Sequence, residues 1–366
     1  MFIRSAYSHL KKKVGISLKK EEKMTKKIVT LSGDGIGPEI MNAGLQVLSA
    51  AAEKIGFDYE LEAKDFGGAA IDKFGLPLPD ETLAVARNAD AILHAAIGDP
   101  RFDGAEIRPE QGLLKIRKEL GLFANVRPLK IYEPLKHLSP IKNVENVDFV
   151  TIRELTGGVY FGEHTLEADK ARDINDYTRA EIERVVRFAF ETAQKRPRKH
   201  VTSVDKQNVL ATSKLWRKTV DEVAKDYPDV TYEHQLVDSC AMLLITNPQK
   251  FDVIVTENLF GDILTDEASS LAGTLGCSAS SSHGAGTAFY EPIHGSAPDI
   301  AGKGIANPVS MILSVAMMLR ESFEMENGAV MIEKAVEKTL ADGIFTQDLG
   351  GSATTDEMTK AILERL

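Results

Sequence analysis

The 366-residue chain predicts an α/β fold with a largely parallel sheet, and three observations carry that expectation. Short β-branched runs recur along the chain. Helical periodicities of ten residues or more separate them, and turn residues stand at the junctions. The first unit shows all three. Lys27–Ser32 (KIVTLS) reads as a buried strand running into a glycine turn. Pro38 then stands where a first helical residue belongs, its fixed φ suited to that place. Ile40, Gly44, Val47, Leu48, Ala51 and Ile55 share one helical face, and Gly56 supplies the stop. Asp90–Ala96 (DAILHAA), Val147–Ile152 (VDFVTI), Val201–Val204 and Phe251–Thr256 (FDVIVT) read as further strands. Thr178 and Glu181 form a capping box ahead of Ile182, Val185, Val186, Ala189 and Ala193. Met311–Leu319, bounded by Ser310 and Arg320, reads as a buried helix, and Ile332–Ala341 as a late one. The sequence shows no internal repeat, heptad run or low-complexity segment, and composition marks no linker.

With 43% hydrophobic and 27% charged residues, the chain is expected to be soluble and globular. No apolar run approaches the roughly 20 residues of a membrane-spanning helix. A net charge of −10 argues against general nucleic-acid binding, which needs Lys and Arg to neutralise phosphates. Cys240 and Cys277 cannot make a disulfide framework, and no Cys/His cluster has zinc-ligand spacing. A reducing, cytoplasmic setting follows. Residues 1–24 stand apart. Nine Lys or Arg occur within residues 1–27 against only Glu21 and Glu22, and no apolar signal core is present. That start faintly resembles a mitochondrial presequence, and its Lys pairs suggest an RNA-binding arm. The stronger reading is a disordered or upstream-start extension, because Met24 opens the run MTKKIVTLSGDGIGPE.

Two tempting motifs fail. Gly33-Asp34-Gly35-Ile36-Gly37-Pro38 follows a strand and opens a helix, but the third glycine of a dinucleotide fingerprint would fall at Pro38. A classical Rossmann fold is therefore not expected. Gly302-Lys303 ends a glycine-bearing loop, but Ala297 and Gly304 occupy the places a phosphate loop gives to Gly and to Ser or Thr.

Three residue sets could carry chemistry. Asp262 and Asp266, in NLFGDILTDEAS, share a face if that segment is helical, and two hard oxygen donors suit Mg²⁺ or Mn²⁺. A solvated acidic face has the same spacing, so the pair alone leaves both readings open. Arg117, Arg127 and Arg153 could each grip a carboxylate bidentately, though nothing in their spacing shows that they converge. Tyr160, in GGVYFG, and Lys206, in SVDKQN, could serve as acid or base; equally, the first could be core and the second surface.

Together these pieces resemble the β-decarboxylating dehydrogenase family, which comprises isopropylmalate, isocitrate, homoisocitrate and tartrate dehydrogenases. The likeness runs from about Lys27 to the C-terminus through LSGDGIGPE, GLLKIRKELGLFANVRP, TIRELTGGVYFG, DKQNVL, VDSCAM, TENLFGDILTDEAS and EPIHGSAPDIAGKGIANP. It implies an isopropylmalate/isocitrate dehydrogenase-like two-domain fold. Residues 25–122 and 273–366 would form a discontinuous cofactor-binding domain around a central substrate and dimerisation domain, 123–272.

The resemblance also assigns roles. Arg117, Arg127 and Arg153 would hold substrate carboxylates. Asp262 and Asp266 would bind the metal, with Asp238 and the base Lys206 donated by the partner in a homodimer that shares its active sites. Tyr160 would protonate the carbon left by CO₂. For NAD, His294, Gly295, Ser296, Ala297, Pro298, Asp299 and Ile300 would wrap the adenosine, Asn307 would contact adenine, and Ile36 would lie nearby. Asp299 would accept bonds from the ribose hydroxyls and repel a 2′-phosphate. Leu113, Leu114 and Val209 would line the substrate pocket where isocitrate relatives place a serine. An apolar wall there favours an isopropyl group over a carboxylate that would lose its water.

The implied reaction is oxidative decarboxylation of (2R,3S)-3-isopropylmalate to 4-methyl-2-oxopentanoate and CO₂, in leucine biosynthesis. A sister enzyme acting on tartrate, malate or homoisocitrate is one rival reading. A non-catalytic regulatory subunit is the other, and it would be expected to have lost one of these groups. One departure from the family stands at Cys277-Ser278, where relatives carry an apolar residue and proline and this chain is apparently shorter.

Overall fold

The computed structural model describes residues 25–366, so the expectation for residues 1–24 lies outside the described residues. The chain opens on β1 (Lys26–Gly33), whose Ile28 to Leu31 are buried, and passes into α1 (Gly37–Ile55). Gly35 between them has φ +57, and a Cβ on it would fall 2.0 Å from the Ser296 carbonyl oxygen. Glycine is therefore required there for close backbone approach, with the loop around Ser296 as neighbour. Gly56 closes α1 in the left-handed conformation, as its position suggested.

There follow β2 (Tyr59–Ala63), α2 (Gly68–Phe74), α3 (Asp80–Arg87), β3 (Ala91–Ala96), α4 (Pro109–Glu119), β4 (Leu122–Lys130) and β5 (Asp148–Glu154). A small hairpin, β6 (His164–Leu166) with β7 (Ala171–Asp173), leaves Leu166 almost fully exposed. The chain continues through α5 (Arg179–Gln194), β8 (His200–Asp205), α6 (Ala211–Val223), β9 (Thr231–Leu236), α7 (Val237–Thr246), β10 (Val253–Thr256) and α8 (Asn258–Leu271). It ends with β11 (Ala279–Gly284), β12 (Ala288–Pro292), α9 (Val309–Glu321), α10 (Glu326–Ala341) and α11 (Thr355–Leu363). The Thr178–Glu181 capping box opens α5, and α9 is buried along most of its length.

Ten strands form one sheet in the order β2-β1-β3-β12-β11-β4-β5-β10-β8-β9. Pairing is parallel toward both edges, as the alternating units predicted. In the middle it is not: β12 with β11, β11 with β4 and β4 with β5 are antiparallel. Periodicity missed these central strands because β11 reads ASSSHG and β4 interrupts its apolar residues with Asn125, Arg127 and Pro128. They carry the polar side chains of the site. Among the described residues no helix is long and apolar enough to cross a membrane.

Candidate active site

The register of β4 against β5 decides where two of the arginines point. Asn125 lies opposite Arg153 and Arg127 opposite Thr151, so period-two alternation puts both guanidinium groups on one face. Arg117, near the end of α4, reaches the same region. Burial lowers the Arg127 pKa, and the positive charges of Arg153 and Arg117 lower it further, which is the electrostatic signature of three converging cations. Each arginine is braced. Arg127 donates from Nε to Asn125 Oδ1 at 2.9 Å and from a terminal nitrogen to Thr265 Oγ1 at 2.7 Å. Arg117 donates to Glu291 at 2.7 Å, while its Nε is buried without a partner. A cleft opens over Leu113, Arg117, Arg127, Glu291, His294 and Gly295. A buried, unpaired guanidinium nitrogen beside such a cleft fits an anionic ligand.

Asp262 and Asp266 sit one turn apart on α8, so the helix expected for NLFGDILTDEAS is present. Asp262 accepts from Arg153 and, at 2.5 Å, from the Tyr160 hydroxyl. Burial would raise the Asp262 carboxyl, but Arg153, Tyr160 and Arg127 outweigh it and hold it below the usual carboxylate range. Burial and the Asp262 charge push Tyr160 the other way, so the phenol keeps its proton at neutral pH, as a proton donor must. Asp266 lies 3.3 Å from Arg127 and is otherwise open. Two neighbouring carboxylates suit a hard divalent cation, yet among the described residues no three His, Cys, Asp or Glu side chains gather to hold one. Asp238 is elsewhere. It pairs with Lys206 at 2.9 Å, and neither shares a hydrogen bond or ion pair with the Asp262 group.

The loop after β12 faces the start of α1. Ile36 donates its N–H to the Ser296 carbonyl at 2.8 Å, so the structure brings residues 36 and 296 together. His294 binds the Gly295 carbonyl through Nδ1, and burial lowers its pKa, so the ring is neutral. Its Nε2 is buried without a partner. Gly295 has nothing within 4 Å of where a Cβ would sit, and Ala297 holds a φ of 40° that L residues rarely adopt. Pro298 and Asp299 are exposed, and Ile300 closes a turn onto Ala297. An orphaned imidazole nitrogen over an open, backbone-lined loop fits a nucleotide laid across it. The Asn307 side chain is already engaged, its amide with Asp348 at 3.0 Å and its carbonyl oxygen with the N–H of Val309. The Cys277-Ser278 segment ties this loop down, because the Ser278 carbonyl accepts from both Ile293 and Ser310.

A family model described as isocitrate/isopropylmalate dehydrogenase matches residues 27–362. The chain belongs to that family. It is a decarboxylating dehydrogenase. The 3-isopropylmalate dehydrogenase of Lactococcus lactis subsp. lactis is 75% identical over 93% of the chain and 99% of its own length. That of Streptococcus thermophilus is 68% identical, over 94% of this chain and 100% of its own. Among solved structures, isocitrate dehydrogenase from Methylococcus capsulatus superposes with a TM-score of 0.84 at 39% identity, covering 93% of this chain and 99% of that one. A β-decarboxylating dehydrogenase from Thermococcus kodakarensis gives 0.81 at 37% identity, covering 93% and 96%.

In this enzyme the three arginines, Tyr160, Asp262 and Asp266 thus form one group, and Leu113 reaches the cleft. Leu114, on the same helix, is 48% exposed, and Val209 is 66% exposed in the turn that follows Lys206. Val209 therefore travels with Lys206 and Asp238 and not with Leu113. Sequence reasoning gave no role to Asn125, Glu291 or Asn258, each of which braces an arginine. All three stand inside the quoted motifs, but spacing along a chain does not reveal a bond made across strands.

Proposed function

We propose that the enzyme converts (2R,3S)-3-isopropylmalate to 4-methyl-2-oxopentanoate and CO₂ with reduction of NAD, a step of leucine biosynthesis in the cytoplasm. The observation that carries the substrate assignment is Leu113, an apolar side chain beside Arg117 and Arg127 in a cleft otherwise suited to anions. An isopropyl group gains there about 1–3 kcal/mol by burial, whereas a further carboxylate in its place would lose water without a new partner. Relatives at 68–75% identity that bear the name 3-isopropylmalate dehydrogenase support the same reading.

Arg117, Arg127 and Arg153 bind and orient the carboxylates, held in place by Glu291, Asn125 and Asn258. Lys206 takes the proton of the C2 hydroxyl. Tyr160, kept protonated by burial and by Asp262, delivers a proton to the carbon that loses CO₂. Bound NAD would accept the hydride, and a Mg²⁺ or Mn²⁺ ion held by Asp262, Asp266 and Asp238 would supply Lewis acidity. Asp299, exposed on the loop, favours NAD over its 2′-phosphorylated form.

Lys206 and Asp238 pair with each other and join no cluster with Asp262 and Asp266, which supports a homodimer in which each copy completes the other's site. Exposed Met242 and Ile245 on α7, with Leu259 and Ile263 on the adjoining α8, offer an apolar face for that second copy. Dividing the chain into 25–122 with 273–366, and 123–272, would cut the sheet once, between β11 and β4. The cleft lies at that cut, so closure of the two parts would shut it on substrate.

The test is NADH formation with Mg²⁺ on 3-isopropylmalate, isocitrate, homoisocitrate, D-malate and tartrate. A kcat/KM at least about tenfold higher for 3-isopropylmalate, abolished by a chelator, is expected from one well-placed apolar wall. Equal or better use of malate or tartrate would overturn the substrate assignment and leave the reaction class. Inactivity on all five would overturn the function.

A further inference from the structure

Asn258 opens α8 and is 1% exposed. Its Oδ1 accepts from Arg153 Nε at 3.0 Å and from an Arg153 terminal nitrogen at 2.8 Å. Its Nδ2 donates to the Gly157 carbonyl at 3.2 Å, and its backbone N–H donates to the Tyr177 hydroxyl at 3.0 Å. The partners fix which end of the amide is which, since two guanidinium donors face the oxygen and a carbonyl faces the nitrogen. Gly157 begins the short turn that ends at Tyr160. That turn is pressed against Tyr177. A Cβ on Gly157 or Gly158 would fall 2.6 or 2.5 Å from it, and Gly158 holds φ +74. One buried amide therefore grips a substrate arginine with one end and the base of the Tyr160 turn with the other.

We propose that Asn258 is a positioning residue that fixes the Tyr160 hydroxyl relative to the Arg153 guanidinium, and so the proton donor relative to the carboxylate being held. The proposal rests on the roles given above to Arg153 and Tyr160. A proton donor displaced by about 1 Å from the carbon it serves loses on the order of a hundredfold in rate. The chemistry needs a neutral amide. Aspartate could still accept from Arg153, but it could not donate to Gly157, and its charge would offset the arginine's pull on substrate. Alanine would leave two guanidinium nitrogens and a carbonyl without their partner in a buried place. Arg153 would then be held at its tip by Asp262 and no longer along its fork.

The experiment compares the full-length enzyme with Asn258→Asp, Asn258→Ala, Tyr160→Phe and the two double variants. The readouts are kcat, the separate KM values for 3-isopropylmalate and NAD, and the Tm. Both Asn258 variants are expected to lower kcat by about tenfold or more while the KM for NAD stays within about twofold. In the Tyr160→Phe background the same changes are expected to lower kcat by less than about twofold, because there is no longer a proton donor to place. Asn258→Asp is nearly isosteric and guards against a mere folding defect. An unchanged kcat in a folded Asn258→Asp enzyme would overturn the proposal, as would losses that multiply in the double variants. An inactive parent enzyme, or Tyr160→Phe with full kcat, would instead overturn the functional reading beneath it.

Discussion

Arg153 and Lys206 each face a carboxylate, yet the two pairs are built differently. Arg153 is buried on a central strand and bonded to Asn258 as well as Asp262, with the Tyr160 hydroxyl on the same carboxylate. Lys206 sits in a turn at the end of β8 and pairs with an Asp238 side chain that is 64% exposed. The first group is preorganised by its own chain, where low dielectric and fixed partners strengthen each interaction. The second is held by little besides itself. A half-exposed ion pair of this kind adds little to folding. The contrast is the one the proposed homodimer needs: one group preorganised within its own chain, the other left to complete the site of a second copy.

The largest expected effect removes proton transfer itself. Lys206→Ala or Tyr160→Phe should each cut kcat by roughly 10²–10⁴-fold. The two should differ in what happens to the fold. Lys206→Ala should leave Tm unchanged, because its partner Asp238 is already solvated; a marked drop would show that the Lys206 pair is structural and blur the distinction.

Next in size is Arg153→Lys. A lysine cannot fork between Asn258 and Asp262, so kcat/KM for the hydroxy acid should fall by about a hundredfold, with some loss of stability from the unpaired Asp262 and Asn258. Steady-state kinetics with a thermal melt would check it, and a wild-type kcat/KM would deny Arg153 its bidentate role. Leu113→Ser probes the cleft wall. It should lower kcat/KM for 3-isopropylmalate by about tenfold and raise that for isocitrate, measured as the ratio of the two. An unmoved ratio would mean that Leu113 does not contact the variable end of the substrate. The smallest change lies on the cofactor loop. Asp299→Asn should raise NADP use relative to NAD by several-fold to about tenfold, since it removes repulsion without adding a partner for the phosphate. No shift in that ratio would place the 2′ position away from Asp299.

What could be read in the sequence divides along the same physical lines. β1, α1 and the Thr178 capping box announce themselves by local periodicity and chemistry, and the structure has them where those signals stand. The Asp262/Asp266 face was legible for the same reason: it needs only one helix. Convergence of Arg117, Arg127 and Arg153 was not, because it depends on the register of β4 with β5 and on where α4 ends. The central antiparallel strands were hidden by their function. Asn125, Arg127 and the serines of β11 replace the apolar pattern that marks a strand, and they do so because they line or brace the site. Asn258 and Glu291 were hidden differently, since a residue that holds an arginine leaves no periodic trace. Motif resemblance recovered the charged groups, and only coordinates could show what holds them.

The claim that the site is shared between two copies has a direct test. Lys206→Ala and Tyr160→Phe, each nearly inactive alone, are mixed in equal amounts under conditions that let subunits exchange. If each copy donates Lys206 to the other's Tyr160, random pairing makes about half the dimers mixed, and each mixed dimer holds one intact site. The account predicts recovery of about a quarter of wild-type activity, rising with exchange time. Activity that stays at the sum of the two separate variants, with exchange confirmed by a mass-tagged copy, would contradict it and place Lys206 and Tyr160 of the same chain in one site.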